Sequence, residues 1–244
     1  MSEKIVVEFE VEKTINHDRY GYQEKLLKYE GRETRYKAIV KDGKLVAILG
    51  RNYKLIPNEY VDEMVKKIDE RVSCRKEGWR WYWFISKSKD DVGAVIVNSV
   101  DGSEALKVYA WLVNTSLLIT ERVENVYRRH TPKADLSDLK EIIEHVLETA
   151  EEFKEWLVRL GSVPAKPHYE VLEMLKGDIP KKYVEKPLLA ARSGRDFAGR
   201  EYTLRDFYET VARSIWSSSV DMRTKMRRYR ALNDCMFSIV EWSQ

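Results

Sequence analysis

Between Arg192 and Arg230 the chain carries ten basic residues: Arg192, Arg195, Arg200, Arg205, Arg213, Arg223, Lys225, Arg227, Arg228 and Arg230. Five acids oppose them: Asp196, Glu201, Asp206, Glu209 and Asp221. Nearly all of the bases are arginine, whose planar guanidinium holds phosphate oxygens in pairs. The whole chain is near balance at a formal net charge of +3, so any polyanion site must come from this local clustering. At helical spacing Arg223, Arg227 and Arg230 share one side, with Lys225 and Arg228 on an adjoining one. Two readings stand: a solvated helix face, or a face for nucleic acid or an acidic partner.

A second candidate is aromatic. In residues 79–86 (WRWYWFIS) strand alternation sets Trp79, Trp81, Trp83 and Ile85 against Arg80, Tyr82 and Phe84. Either this is a central strand covered on both faces, or one face stacks bases, with Arg80 between the rings. The stretch from Thr120 to Lys133 is basic through Arg122, Arg128, Arg129, His130 and Lys133, partly offset by Glu121 and Glu124. It reads as a solvated loop or as a phosphate-contacting one.

Hydrolytic chemistry has thinner support. A metal-dependent nuclease needs clustered carboxylates, and the nearest are Asp91, Asp101 and Glu104, with Lys107. Glu104 and Lys107 are three apart, which on a regular strand sends them to opposite faces. Ser99 and Ser103 flank Asp101 with no His nearby in sequence. His17, His130, His145 and His168 are scattered without ligand spacing. No phosphate-binding Gly-x-x-x-x-Gly-Lys motif occurs, and Cys74 and Cys235 have no metal or redox spacing. No catalytic residue, metal or cofactor is assigned.

These residues need elements to position them, and the first is a hairpin. Val92 to Ile119 holds two apolar, β-branched runs around Asn98-Ser99-Val100-Asp101-Gly102-Ser103, and Asp-Gly between strand-like runs marks a turn. Asn98, Asp101, Gly102 and Ser103 fit turn chemistry, since Asp and Asn bond their own backbone. The other reading has Asn98, Asn114 and Thr115 converging on a ligand.

This turn, with Asn114 after the second strand, resembles the DUF932 family of phage- and plasmid-borne proteins. Tyr36 to Val40, Gly43 to Gly50 and Tyr53-Lys54-x-x-Pro57-Asn58-Glu59 resemble its N-terminal pattern, and Arg129-His130-x-x-Lys133 resembles its later basic stretch. The resemblance covers residues 35–160. It departs where the family has His (Val100 here) and an Arg and Cys (Trp111, Leu112 and Val113 here), so a catalytic His or Cys is not carried over. The resemblance implies a virus or plasmid setting and no chemistry.

Along the rest of the chain, residues 4–13 alternate as a half-buried strand and residues 14–34 read as loop or irregular strand. Asp42-Gly43 marks a hairpin over residues 35–50. A helix follows Asn58 as N-cap, burying Val61, Met64, Val65, Ile68 and Val72. Residues 135–160 form a long amphipathic helix of roughly 39 Å, capped by Asp135 and ended by Gly161. Its stripe, from Leu136 to Leu160, requires the sheet, another helix or a second chain, and His145 lies on its polar side. Gly161 to Pro167 reads as a linker. A short helix ends at Gly177, and Pro180 and Pro187 break the next segment. Thr203 and Asp206 form a capping box for a helix through Ile215, and a last helix spans about Asp221 to Trp242.

The expected fold is α+β: an antiparallel β-sheet with one inserted helix, then a helical C-terminal part. Residues 1–161 form the domain resembling DUF932 and 162–244 a basic helical region. The charged N-terminus from Glu3, the lack of any run near about 18 apolar residues and the isolated cysteines give an expectation of an intracellular protein, in the host cell cytoplasm, with no membrane partner. Gln occurs only at Gln23 and Gln244 beside abundant Lys and Glu, which fits a thermophile. The leading expectation is a non-enzymatic nucleic-acid-binding protein, in its specific form a single-stranded DNA binder. Its expected contacts are Arg80, Trp81, Trp83, Arg128, Arg129, Arg192, Arg195, Arg200, Arg223, Arg227, Arg228 and Arg230. A metal-dependent nuclease and a host-protein interaction module are the alternatives, and a homo-oligomer is a further expectation.

Overall fold

The computed structural model describes residues 8–86, 92–112, 117–119, 127–128, 130 and 136–240. The fold is α+β, with two sheets where one was expected. The first is a four-stranded meander of β1 (Glu10–His17), β2 (Tyr22–Tyr29), β3 (Arg32–Lys41) and β4 (Lys44–Gly50), all antiparallel. The second has the order β10-β8-β7-β6-β5, with β9 also on β8. Its strands are β5 (Ser73–Glu77), β6 (Arg80–Ser86), β7 (Val92–Ser99), β8 (Leu106–Leu112), β9 (Leu117–Ile119) and β10 (Tyr127–Arg128). The helices are α1 (Asn58–Ile68), α2 (Leu139–Leu160), α3 (Tyr169–Glu173), α4 (Lys181–Ser193), α5 (Leu204–Trp216) and α6 (Met222–Ile239), so the C-terminal part is helical. Among the described residues no helix is long and apolar enough to cross a membrane.

The chain divides into two compact units. One comprises Met1–Trp83, Ile96–Lys107 and Tyr127–Lys140; the other comprises Phe84–Val95, Val108–Val126 and Glu141–Gln244. Most of α2 therefore groups with the C-terminal helices, across the division read at residue 161.

In the first unit, β3 and β4 are joined at Asp42 (φ 48°) and Gly43 (φ 76°), the paired positive φ of a type I′ turn. The strand β1 begins within residues 4–13, read as a strand, and runs on to His17; β2 lies in residues 14–34, read as loop or irregular strand. Their neighbouring turn, Glu30-Gly31, repeats that geometry with φ 48° and 72°. The alternation of β2 was obscured because its inward positions include a carboxylate. Glu24, opposite Ile39, is buried and bound by the Lys37 ammonium and by His17 Nε2 at 2.9 Å. Lys37 also donates to the Tyr53 carbonyl. Tyr22, Ile39, Leu55 and Val100 form the adjoining core, packed by Tyr20, Val46, Leu49, Tyr53 and Trp79. The cap of α1 is Pro57, not Asn58. Asn58 is buried and uses its side chain elsewhere.

In the second unit the α2 stripe is covered by the chain's own helices. Phe153 and Trp156 stack at 5.1 Å; Tyr208 of α5 meets both edge-on, and Phe237 of α6 lies 4.8 Å from Trp156. The expected start of α2 at Asp135 lies outside the described residues. Residues 161–167 are docked rather than free: Ala165 is buried and its N–H donates to the Tyr202 carbonyl at 2.9 Å. The segment with Pro180 and Pro187 is helical after all. Pro180 is the N-cap of α4, a position that needs no donor, and Pro187 is tolerated inside the helix as a buried residue. The capping box of Thr203 and Asp206 starts α5 as expected.

Candidate nucleic-acid interface

Helix α6 starts where Asp221 accepts from the Thr224 N–H at 2.8 Å. Its inner face buries Met222, Tyr229, Leu232, Met236 and Phe237. Three polar contacts fix its rotation: Tyr229 OH donates to the Ala212 carbonyl at 2.9 Å, Asn233 Nδ2 donates to the Leu118 carbonyl at 3.0 Å, and Tyr208 OH donates to Asn233 Oδ1. The opposite face then exposes Arg223, Arg227 and Arg230. At 1.5 Å per residue they lie about 6 Å and about 10.5 Å along the axis from the first.

The adjoining basic row does not reach solvent in the same way. Lys225 is buried and donates to the Trp216 carbonyl at the end of α5, where a cation is favoured by the helix dipole. Arg228 is buried against Tyr183, its guanidinium 5.0 Å from the ring centroid. Both were read as surface because periodicity alone does not show how wide the buried arc is.

The remaining arginines are dispersed. Arg192 is exposed on α4, 5.9 Å from the Tyr169 ring. Arg195 is exposed and bonds the Gly199 carbonyl at 3.2 Å. Arg200 is paired with Asp196 at 2.7 Å, and Asp196 also accepts from the Ala198 and Arg200 N–H groups. The Asp196 carboxyl sits below its ordinary pKa: burial acts to raise it, but the Arg200 side chain and these backbone donors prevail. Arg129 and the side chain of Arg128 lie outside the described residues.

On the aromatic strand Trp83 is closed to stacking, while Trp81 is only partly covered. Trp83 is fully buried and donates to Asp62 at 2.8 Å, and Trp81 is half-buried with the Lys76 ammonium 3.6 Å from its ring. Tyr82 is also buried, and that burial pushes its phenol up to about 12 while Arg80 acts in the other direction. Covered central strand is the better description for Trp83.

At the β7–β8 tip the turn chemistry is present. Asp101 Oδ1 accepts from Ser103 N at 3.0 Å and Ser103 Oγ at 2.5 Å, and Arg80 Nη2 donates to Ser103 Oγ at 2.9 Å. Gly102 has φ 73°. Burial raises the Asp101 carboxyl, but the bonds from Ser103 and the charge of Arg80 hold it below its ordinary value. Asn98 is buried and donates to the Ile56 carbonyl at 3.0 Å and Asn58 Oδ1 at 2.8 Å. Asn114, Thr115 and Asp91 lie outside the described residues.

Two contacts differ from expectation. Glu104 and Lys107 form an ion pair at 2.8 Å, because Glu104 precedes the strand and is not bound by its alternation. His130 comes near the tip despite its distance in sequence. Its ring stacks on Tyr53 at 4.6 Å and 14°, and its Nδ1 lies 2.9 Å from the Lys54 carbonyl. Tyr53 OH in turn donates to the Ser99 carbonyl at 3.0 Å. The sequence signals for His130 were weak, since only tertiary packing brings it there. No metal-competent group of His, Cys, Asp and Glu occurs among the described residues. Comparison with protein-family models, curated proteins and solved structures finds no significant match to this chain.

Proposed function

We propose that this protein binds nucleic acid through the exposed face of α6. The observation that carries this reading is the row of Arg223, Arg227 and Arg230 on a helix whose rotation is locked by buried tyrosine and asparagine contacts. A helix fixed in rotation presents all three arginines on one face, and each guanidinium can pair phosphate oxygens bidentately. The likeness to DUF932 motifs is not accompanied by a family-model match, so the reading rests on α6. Binding would be mainly electrostatic and carry no base readout of its own.

Fluorescence anisotropy with labelled single- and double-stranded DNA across a salt series tests it. Wild-type protein should bind at low salt and weaken as salt rises. Changing all three arginines to Ala should reduce the duplex salt slope by about 3, near 0.9 per lost phosphate contact. Absence of binding at low salt, or an unchanged slope in the triple variant, would remove this reading.

The outer face of the first sheet favours a second reading, a protein-interaction module. Val11, Leu45 and Ile48 are exposed there, and Phe9 and Tyr29 are exposed with their rings 6.0 Å apart. Concentration-dependent sedimentation of wild type and Val11→Ser/Ile48→Ser would show whether this face associates with a second copy.

A further inference from the structure

Arg228 is only 8% exposed, yet among the described residues its Nε and Nη1 have no hydrogen-bond acceptor. A buried cation without a counter-charge is unfavourable, and it is usually found with a carboxylate or a bound anion. Here it faces an aromatic ring: its guanidinium is 5.0 Å from the Tyr183 centroid. The Lys182 ammonium lies 4.9 Å from the same ring, so two cations flank one tyrosine. The nearby ion pair to Glu185 is made by Lys181, at 3.2 Å.

The three elements that bring these groups together are each fixed locally. Pro180 caps α4, setting Lys182 and Tyr183 in its first turn. The connection from α5 to α6 is held by Ser218 Oγ donating to the Ile215 carbonyl at 2.6 Å and by Lys225 on the Trp216 carbonyl. Arg228 follows on α6. Burial acts to raise the Tyr183 phenol, but hydrogen bonding with Lys182, Ser218 and Arg228 outweighs it and holds the pKa below the ordinary 10.0. The surroundings of that oxygen therefore favour negative charge.

We propose that Arg228, Lys182 and Tyr183 form a binding site for a phosphate-class oxyanion. The anion would neutralise the buried guanidinium, take the Lys182 charge and accept from the Tyr183 hydroxyl, while Ser218, whose own proton goes to the Ile215 carbonyl, holds the α5–α6 connection beside it. This deepens the nucleic-acid reading of α6, resting on that reading only for the source of the phosphate. It requires no contact with Arg223, Arg227 or Arg230.

The test is thermal unfolding of the full chain with inorganic phosphate, ionic strength being held constant with chloride. A saturable rise in Tm is expected, about 3–5 °C near tenfold over the dissociation constant. It should persist in Arg223→Ala/Arg227→Ala/Arg230→Ala and vanish in Arg228→Met. The Lys182→Gln/Tyr183→Phe variant changes groups nearer the surface, should fold if Arg228→Met does not, and should also lose the rise. No saturable rise in wild type, or an equal rise in Lys182→Gln/Tyr183→Phe, overturns the site. A rise lost only in the triple arginine variant overturns it too, by moving the anion to the α6 row. A retained rise with no binding of long DNA keeps the site and removes the α6 reading. Oligonucleotides with and without a 5′-phosphate then separate the sources: tighter binding of the phosphorylated strand, lost in Lys182→Gln/Tyr183→Phe, assigns strand ends. Equal binding of both strands, with the rise intact, assigns backbone phosphate or the free ion.

Discussion

Asn98 donates to the side-chain oxygen of Asn58 across forty residues of sequence, at 2.8 Å, and both amides are buried. Asn58 passes the bond on to the Trp79 carbonyl at 2.8 Å, and Asn98 reaches the Ile56 carbonyl at 3.0 Å. Within the first unit this pair ties the start of α1 to the end of β7 and to the residue before β6.

Asn98→Ala would leave the Ile56 carbonyl and Asn58 Oδ1 without this donor. A loss of about 1–3 kcal/mol is expected, measured by urea unfolding. Asn98→Asp should be worse at pH 7, because a carboxylate would face two acceptors. Lowering the pH should bring the Asp variant back toward Ala. An Asp variant as stable as wild type at pH 7 would contradict this arrangement.

The Glu24–Lys37 pair gives a sharper contrast between single and double changes. Both side chains are buried, and Lys37 also serves the Tyr53 carbonyl. Lys37→Met leaves the Glu24 carboxylate buried with His17 as its other neighbour, and should cost about 3–5 kcal/mol. Glu24→Leu/Lys37→Met removes both charges and should recover most of that loss. Chemical denaturation of the three proteins decides it: a double variant no better than the single would show that the pair contributes more than mutual neutralisation.

This pair also shows what sequence pattern can and cannot reveal. The β3–β4 hairpin was legible because Asp42-Gly43 supplies the two positive φ angles directly. The strand β2 was not, because its periodicity is carried by Tyr22 and Glu24 rather than by aliphatic residues. Glu24 becomes acceptable inside only through Lys37, a partner on another strand. The same holds at the candidate interface. The row of Arg223, Arg227 and Arg230 was visible as spacing on a helix. The burial of Lys225 and Arg228 was not, since each depends on a group elsewhere, the Trp216 carbonyl and the Tyr183 ring.

His130 sets a pH dependence. Burial lowers its pKa from the ordinary 6.5, while the carbonyls of Lys54 and Glu104 act in the other direction. The unfolded chain therefore takes up this proton at higher pH than the folded one. The His130 contribution is fully present above about 6.5 and is lost as pH falls through the folded value. Urea midpoints from pH 7.5 down to pH 5 should fall in wild type and fall less in His130→Gln. Equal slopes in the two proteins would show that His130 is not the group responsible.

Two glycines should respond in opposite measure to one added methyl group. Gly43 needs its positive φ of 76°, but a Cβ there would meet nothing within 4 Å. Gly43→Ala should therefore cost only the left-handed strain, about 1–2 kcal/mol. Gly93 has no positive φ to maintain, yet a Cβ would come 2.2 Å from the Ile85 carbonyl oxygen and 3.0 Å from Trp111 Cε3. No rotamer relieves a clash with backbone, so β6 and β7 would have to move apart in a strand whose residues are all buried. Gly93→Ala should cost more than about 3 kcal/mol, beyond the usual range for overpacking. Unfolding midpoints of the two variants rank the effects. If Gly93→Ala proved as mild as Gly43→Ala, β7 could not lie as close to β6 as this packing requires.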